Sequence, residues 1–229
     1  SGPAKNGSSP PFKAELIYSK MDAARFFGHL EFVNIFLRAL NRAGLPLWYS
    51  EGFHPKPRVS FGDPLPVGME SEAETVHLLL TRPLAPEEIQ AAVNTHLPAG
   101  IAIRECRLVS AKAPVQQTTE KVAAYRVVLP GGCLDRKRAG AFAAAAHFDL
   151  NRTNRKGKSE RIDLCQVVTG LTLVDDCTAE LKIRMIPGKR VRPGEVLAAV
   201  FDLPEEELGQ ARIVKQRQPA ALLSGRKER

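Results

Sequence analysis

Apolar and polar residues alternate with two different periods along the first half of the chain. A period of two predicts half-buried strands, and a period near 3.6 predicts amphipathic helices. The predicted elements are, in chain order, strand 14–20, helix 30–43, short strands 47–49 and 58–61, strand 75–81, helix 86–96 and strand 101–109. Apart from one additional short strand, this is a β-α-β-β-α-β order.

The first predicted helix has two distinct sides. An apolar stripe of Leu30, Val33, Leu37 and Leu40 is expected to face the core. The opposite side carries the polar residues Glu31, Asn34, Arg38, Asn41 and Arg42. Gly44 then ends the helix, as a glycine just beyond a helix commonly does.

The second half of the chain repeats the same order of elements. The predicted elements are strand 124–129, an alanine-rich helix 135–147, one strand or a bent pair at 161–174, strand 179–186, helix 193–201 and strand 211–215. No residue-level repeat accompanies this duplication. The sequence therefore predicts an α+β protein with two tandem ferredoxin-like (βαββαβ) domains, each an antiparallel sheet with helices on one face.

Changes in composition divide the chain further. A linker rich in Ala, Pro, Gln and Thr is expected at residues 111–121, between a first domain at 14–110 and a second at 122–217. Residues 1–13 are expected to form a disordered tail whose opening Ser-Gly-Pro is typical of a cloning remnant, which leaves open whether the chain is an excised piece of a longer protein. Residues 218–229 form a basic tail.

The overall composition excludes several classes of protein. With 229 residues, 44% hydrophobic and 25% charged, the chain resembles an ordinary globular protein. No apolar run has the roughly 18 residues of a membrane helix, and no secretory signal opens the chain, so a cytoplasmic location is expected. The cysteines are scattered and share no metal-ligand spacing, and no metal site is expected: Cys106, Cys133, Cys165 and Cys177.

A proline-spaced loop at residues 50–58 carries the most distinctive chemistry. Its two prolines restrict the backbone, so His54, Lys56 and Arg58 are expected in a nearly fixed geometry. Phe53 and Tyr49 lie close by in the sequence. Cations beside aromatic rings suit an anionic ligand with an aromatic part, such as RNA. The alternative is a rigid connector whose charges only keep it soluble.

The basic residues are unevenly distributed. Lys and Arg number 33 against 25 Asp and Glu, which leaves a net charge of +8. Residues 151–161, expected to form a loop, hold five basic residues against the single acid Glu160, and residues 182–192 hold five more with no acid. A basic surface favours nucleic acid through counterion release, although a solvated basic face is the alternative.

Several segments together resemble a known family. They are GHLEF, RALNRAGLP, YSEGFHPKPRVSF, PLPVGMESE, KGKSERIDL and RPGEVLAAVF, which span most of the chain. They are similar to the radical-SAM-linked domain family, a bacterial domain fused to, or encoded beside, a radical SAM protein. The chain departs from that family's pattern at Gly28, Glu31, His54 and Lys56, which favours a binding role for the loop over proton transfer.

The resemblance and the loop together predict an RNA-binding accessory domain for modification of tRNA or rRNA. The resemblance implies a radical SAM partner that carries the iron-sulfur cluster and S-adenosylmethionine, with no cofactor in this chain. The residues expected to contact RNA are Arg25, His29, Arg38, Arg42, Ser50, His54, Lys56, Arg58, Ser60, Lys158 and Arg192.

Two other functions fit the same pattern. The tandem architecture is also similar to that of CRISPR repeat-processing endoribonucleases, which need no metal; in that case His29 or His54 would be the general base and nearby cations would stabilise the phosphorane. Alternatively, the chain is a scaffold that docks the radical SAM protein and touches no RNA. Salt dependence distinguishes a phosphate-binding surface from an apolar interface.

Overall fold

The protein is described by a computed structural model that covers residues 12–110, 121–153, 157, 159–186 and 190–217. The chain divides into two compact units, residues 1–117 and 118–229. Most of the two predicted tails and of the predicted linker lie outside the described residues. Within those residues, no helix has the length and apolar character needed to cross a bilayer.

The first unit has one antiparallel sheet and two α-helices among its described residues. Its elements are β1 (Phe12–Lys20), a 3-10 helix (Asp22–Phe26), α1 (His29–Arg42), β2 (Val59–Phe61), β3 (Glu70–Leu80), α2 (Pro86–Asn94) and β4 (Ile101–Val109). The strands lie in the order β4-β1-β3-β2. The core includes Leu16 and Leu78 from the sheet, Phe36 from α1 and Ile89 from α2.

Helix α1 buries only part of the predicted stripe, since Leu40 is buried and Leu37 packs against the core. Its buried residues are Phe32, Phe36, Ala39 and Leu40, whereas Leu30 is 78% exposed. The rings of Phe32 and Phe36 lie 5.1 and 5.7 Å from the ring of Tyr18. Two phenylalanines remove more apolar area from water than one leucine, so they turn the helix toward the sheet and leave Leu30 outside.

Two predicted strands of the first unit have different extents. Residues 47–49 form only isolated bridges, Leu47 with Leu80 and Tyr49 with Pro57. Proline lacks an amide donor, so the chain between Pro46 and Pro57 cannot build a regular ladder. Strand β3 starts at Glu70 rather than at residue 75, because its polar first residues are buried and ladder-bonded.

The second unit also has an antiparallel sheet, with a separate hairpin. Its elements are β5 (Lys121–Val128), α3 (Arg136–Ala144), β6 (Asp149–Thr153), β7 (Ser159–Asp163), α4 (Leu164–Val167), β8 (Val168–Leu173), β9 (Thr178–Met185), α5 (Pro193–Phe201), α6 (Glu205–Gln210) and β10 (Arg212–Lys215). The sheet has the order β10-β5-β9-β8, and β6 pairs with β7. The protein is therefore a mixed α+β structure with mostly antiparallel strands.

The β6–β7 hairpin corrects two predictions for the second unit. The stretch expected as a basic loop at 151–161 contains parts of both strands, and the single or bent strand expected at 161–174 is a strand, a short helix and another strand. The hairpin buries Leu150 and Ile162, two well-separated apolar positions in an otherwise polar segment. Such sparse positions do not produce the alternation by which strands are identified.

Candidate functional site

The end of strand β1 is irregular on both of its sides. Its register with β3 shifts between Tyr18 and Lys20, and its register with β4 shifts between Ile17 and Tyr18. Shortly after the strand, Asp22 has a φ of 53°, which is rare for a residue other than glycine. Bulges reorient side chains, and strained backbone concentrates at functional sites, so this end of the sheet is a candidate site.

Polar side chains, all but one of them buried, gather at this irregular end. We define the polar centre as Tyr18, Lys20, Arg25, Glu70, Ser71 and Glu74. Lys20 is 3% exposed and Glu70 and Ser71 are 0% exposed. Charged residues are almost never buried to this extent unless other groups compensate for the lost hydration.

The two carboxylates of the polar centre bind neighbouring groups. Glu70 Oε1 accepts a hydrogen bond of 2.7 Å from the Asp22 backbone amide and lies 3.7 Å from Nη1 of Arg25. The Ser71 hydroxyl donates to Glu74 Oε1 at 2.8 Å. These contacts tie the start of β3 to the 3-10 helix, so the surroundings of Lys20 are held in place.

Lys20 itself has few partners. Its Nζ donates to the Phe27 carbonyl at 2.8 Å and lies 5.8 Å from the centre of the Phe32 ring. Across the described ranges it makes no other hydrogen bond and no ion pair within 4 Å. Burial lowers the pKa of the Lys20 ammonium, and the nearby Glu74 and Glu31 carboxylates only partly oppose this effect.

Tyr18 lies two residues before Lys20 and is also buried. Burial raises the pKa of its phenol well above the usual value, and the Glu74 carboxylate adds to the rise. Its hydroxyl has no hydrogen-bond partner in the part of the chain that the structure describes. The phenol therefore stays protonated at neutral pH and can donate to a ligand.

A small cavity opens beside these two side chains. It has a volume of about 20 Å³ and is lined by Tyr18, Lys20, His29, Phe32, Phe61 and residues 62–65. The His29 ring lies edge-on to Phe61, with 6.5 Å between the ring centres. Of the predicted RNA contacts, His29 thus lines the cavity and Arg25 belongs to the polar centre, rather than to the proline-spaced loop.

The proline-spaced loop forms a second feature of the same unit. The Ser50 amide donates to the Lys56 carbonyl at 2.8 Å, and the Lys56 amide donates to Ser50 Oγ at 3.0 Å. The Tyr49 hydroxyl donates to Asn41 Oδ1 on α1 at 3.2 Å. Ser50, predicted as an RNA contact, therefore closes the loop. We call residues 49–58 the aromatic-basic loop.

The tip of the aromatic-basic loop is open to solvent. Phe53 is fully exposed, with a relative accessible area of 102%. His54, Lys56 and Arg58 are also exposed, and none of them forms an ion pair with any described residue. Ser60 follows on β2, exposed and opposite His77 of β3.

Arg38 and Arg42 lie on α1 at a groove of about 420 Å³. Its floor includes Phe27, Ile35 and Leu97. Arg38 Nε donates to the Asn34 carbonyl at 3.3 Å. The Tyr49–Asn41 hydrogen bond attaches the aromatic-basic loop to the same helix, so these two cations lie on the element that anchors the loop.

The predicted basic surface of the second unit is partly neutralised. Arg152 contacts Glu160 and Glu195 at 3.0 Å, and Arg161 contacts Asp149. The Arg192 amide donates to Glu195 Oε2 at 2.7 Å at the start of α5, so the Arg192 backbone has a capping role. Lys158, another predicted contact, lies outside the described residues.

Most of the polar centre was not predicted from the sequence, since only Arg25 among its residues was expected to have a functional role. A signal was present, because the segments quoted for the family resemblance include Glu70 and Ser71, in PLPVGMESE, and the cavity residues His29 and Phe61, in GHLEF and YSEGFHPKPRVSF. In the parts of the chain that are described, no cluster of three or more His, Cys, Asp or Glu could hold a metal ion.

Comparison with known proteins places the chain in one family. The family described as "Uncharacterized protein conserved in bacteria (DUF2344)" matches residues 13–193, and the chain belongs to it. None of the curated proteins matches the chain. The matched residues include both the polar centre and the aromatic-basic loop.

Proposed function

We propose that this member of the DUF2344 family is an RNA-binding accessory domain that works with a radical SAM protein in the modification of tRNA or rRNA. The observation that carries the proposal is the aromatic-basic loop, in which a fully exposed Phe53 and the exposed cations Lys56 and Arg58 belong to one short segment. Unstacked RNA bases bind aromatic rings, and cations beside the ring bind the phosphates.

An exposed phenylalanine at a loop tip has no structural explanation in the first unit. Phe53 belongs to neither hydrophobic core cluster, unlike Phe32 and Phe36. A single exposed apolar residue is common, but here it is followed in the sequence by His54 and the two cations. That combination provides stacking and charge within one short segment, which is what a single-stranded RNA loop requires.

The anchoring of the loop also favours binding. Two hydrogen bonds between Ser50 and Lys56, one of them accepted by Ser50 Oγ, and the Tyr49–Asn41 contact hold the base of the loop. Holding the loop before binding reduces the conformational entropy that is lost when RNA docks. The tip therefore presents its ring and charges with little further ordering.

We further propose that both units are ferredoxin-like domains in tandem. In the first unit, the order β-α-β-β-α-β and the strand order β4-β1-β3-β2 support this assignment. In the second unit, the strands β5, β8, β9 and β10 have the equivalent order, with the β6–β7 hairpin inserted after α3. Such sheets are a common platform for RNA.

The radical SAM partner is proposed from the resemblance of the sequence segments. That partner would hold the iron-sulfur cluster and S-adenosylmethionine, and this chain would supply recognition of the substrate. The four cysteines of the chain are far apart in sequence, at positions 106, 133, 165 and 177, and do not form the closely spaced run that commonly binds such a cluster.

The test is RNA binding measured with the Phe53→Ala variant and with Lys56→Ala/Arg58→Ala. RNA crosslinked to the protein in cells would be sequenced first, and binding of the enriched RNA would then be titrated. Loss of stacking is expected to weaken binding by about 1–3 kcal/mol. Loss of two phosphate contacts is expected to reduce the salt slope by about 2.

The matched control is Arg136→Ala/Lys137→Ala. It removes the same charge from exposed positions on α3, where Arg136 already contacts Asp176 at 3.1 Å. Binding that falls equally in both double variants would show only a general effect of charge. If neither loop variant changes RNA recovery, but both weaken binding to the radical SAM protein, the loop is a protein-docking surface and the RNA proposal is wrong.

The same RNA also distinguishes an endoribonuclease from a domain that only binds RNA. Cleavage of the enriched RNA by the protein without metal, lost in His29→Ala or His54→Ala while binding persists, would assign the endoribonuclease function. His29 lines the cavity beside Phe61, whereas His54 is at the exposed loop tip. Comparison of the two variants therefore shows whether any cleavage activity lies at the cavity or at the loop tip.

A further inference from the structure

The geometry of the polar centre points to a second, covalent function that is independent of RNA binding. We propose that Lys20 is a reactive amine that forms an imine with a small, uncharged aldehyde or ketone in the cavity beside it. Tyr18 donates a hydrogen bond to the carbonyl oxygen, and Glu74 transfers protons.

The first argument is that Lys20 has no evident structural use. Its 3% exposure removes the ammonium from water, yet it makes one hydrogen bond and no ion pair within 4 Å in the described part of the chain. A buried charge without a close partner destabilises a fold, and an apolar side chain of similar size would avoid that cost. A reactive role therefore explains the buried, poorly paired amine beside a cavity better than a stabilising role does.

The second argument is that the surroundings favour the neutral amine. Burial lowers the pKa of Lys20, and Phe32 and Phe61 form part of an aromatic wall. The Phe27 carbonyl accepts one N–H at 2.8 Å, which orients the nitrogen. A carbonyl cannot donate a hydrogen bond, so the lone pair of a neutral amine remains available for attack.

The third argument is the presence of a donor and a proton carrier. Tyr18 and Lys20 are two residues apart on β1 and line the same cavity. The phenol keeps its proton because burial raises its pKa. The Glu74 carboxylate lies opposite Tyr18 in the β1–β3 register and is 6% exposed, with Ser71 bound to one oxygen.

The reaction balances without an oxidant or a reductant. The amine nitrogen attacks the carbonyl carbon, a C–N bond forms, and the C=O π electrons move to the oxygen that Tyr18 binds. The nitrogen loses two protons and the oxygen gains two, and Glu74 relays both through water, since no carboxylate of a described residue lies within 4 Å of Lys20 Nζ. The first proton converts the alkoxide into the hydroxyl of a carbinolamine, and the second lets that hydroxyl leave as water. The products are the imine and one water molecule.

The size and charge of the cavity limit the ligand. A volume of about 20 Å³ admits roughly one water molecule, so it accepts a carbonyl group at the end of a short ligand but not a nucleobase. The carboxylates of Glu31 and Glu74 act on Lys20, and Asp63 lines the cavity. This local negative charge disfavours oxo acids and favours uncharged aldehydes or ketones.

The test treats the unmodified protein with propionaldehyde and sodium cyanoborohydride, which reduces an imine to a stable secondary amine. Mass spectrometry of the digested protein would measure the rate at each lysine. At pH 7 we expect Lys20 to react about tenfold faster than the exposed Lys137 on α3, because burial lowers the pKa of Lys20 and leaves a larger share of the amine neutral beside the Tyr18 donor. Lys13 is the matched control, since it is also buried on β1 but does not line the cavity.

The pH dependence and the Tyr18→Phe variant show whether Lys20 reacts because its amine is activated or only because the reagent can reach it. The rate at Lys20 should level off at a pH below the ordinary pKa of a lysine, because burial lowers the pKa of Lys20. The titratable groups around Lys20 are Tyr18, His29, Glu31, Asp63 and Glu74. Tyr18→Phe should slow modification of Lys20 about tenfold while Lys137 is unaffected. Modification of Lys20 no faster than that of Lys137, or no slower in Tyr18→Phe, would overturn the proposal.

Discussion

The aromatic-basic loop and the polar centre belong to the same unit but place their charges in opposite environments. In the loop, Lys56 and Arg58 are exposed, and neither forms an ion pair with a described residue. In the polar centre, Lys20 and Glu70 are almost completely buried. Removing an exposed charge changes the free energy of unfolding little. Burying a charge costs free energy, and removing one partner of a buried charge pair destabilises the fold strongly.

The backbone shows the same contrast. Prolines and a few local hydrogen bonds hold the loop, and its tip has no packing partner in either core cluster. Around the polar centre, two register shifts, a positive φ at Asp22 and a close approach at Gly100 occur together. A backbone held by prolines and local hydrogen bonds is sufficient to present a binding loop. The buried site, in contrast, coincides with distortions of the sheet.

Gly100→Ala is expected to have the largest effect, because it disrupts the support of the polar centre. Gly100 has a φ of 84°, and an added Cβ would lie 2.5 Å from the Met21 carbonyl. We expect the free energy of unfolding to fall by about 3 kcal/mol. Urea titration would measure it, with Gly44→Ala as the control, since Gly44 also has a positive φ but no atom within 4 Å of the added Cβ. Equal losses in both variants would show that the close approach has no effect.

Glu70→Ala is expected to be the next most damaging change. It removes the acceptor of the Asp22 amide and the partner of Arg25. Loss of a hydrogen bond to a charged acceptor costs about 2 kcal/mol. The control is Glu72→Ala, an exposed position on the same strand, for which a change below about 0.5 kcal/mol is expected. Similar values for the two variants would mean that burial does not distinguish these carboxylates.

Lys20→Met is expected to raise stability, by about 1 kcal/mol at neutral pH. The pKa of Lys20 is lower in the folded state than in the unfolded state, so the unfolded state holds its proton more tightly. The penalty on the wild type is therefore full below the lowered pKa and disappears as the pH rises toward the ordinary value. Thermal unfolding of both proteins from neutral to alkaline pH would show the difference narrowing; a destabilised variant at every pH would give Lys20 a structural role.

Phe53→Ala is expected to have the smallest effect on stability, within about 0.5 kcal/mol, because its ring is fully exposed. The same change should weaken RNA binding, so stability and binding would separate in one variant. Phe36→Ala provides the contrast, since that ring is fully buried and its loss should cost about 3 kcal/mol or more. Marked destabilisation by Phe53→Ala would mean that the ring packs against the protein.

Much of the element order was predictable because long segments have clear periodicity. Strand β4 was predicted with its observed bounds, and α5 likewise, because an apolar alternation and a proline at the helix start mark their limits. The β6–β7 hairpin was not predicted, since Leu150 and Ile162 are too far apart in sequence to produce a pattern. The buried face of α1 was predicted only in part: Leu40 is buried as expected, but Phe32 and Phe36 lie in the core in place of Leu30, because aromatic and aliphatic residues both fitted a helical stripe.

Some residues of the candidate site could be selected from the sequence and others could not. His54, Lys56 and Arg58 could be selected from the sequence because adjacent prolines and charges define a loop without reference to the rest of the chain. Lys20 could not be selected, because a lysine at the end of an apolar strand usually extends into solvent. Its burial depends on Phe27, Phe32 and Phe61, which come from three other segments.

The sequence by itself determined the α+β class, most helices and strands, and the chemistry of the aromatic-basic loop, because these depend on residues that are neighbours along the chain. Only the tertiary structure decided which charges are buried. Burial is set by contacts between segments far apart in sequence, such as Asp22 with Glu70, and the same contacts determine which amine has a lowered pKa. The polar centre therefore depends on contacts made by the fold, whereas the chemistry of the loop depends on residues that are adjacent in the sequence.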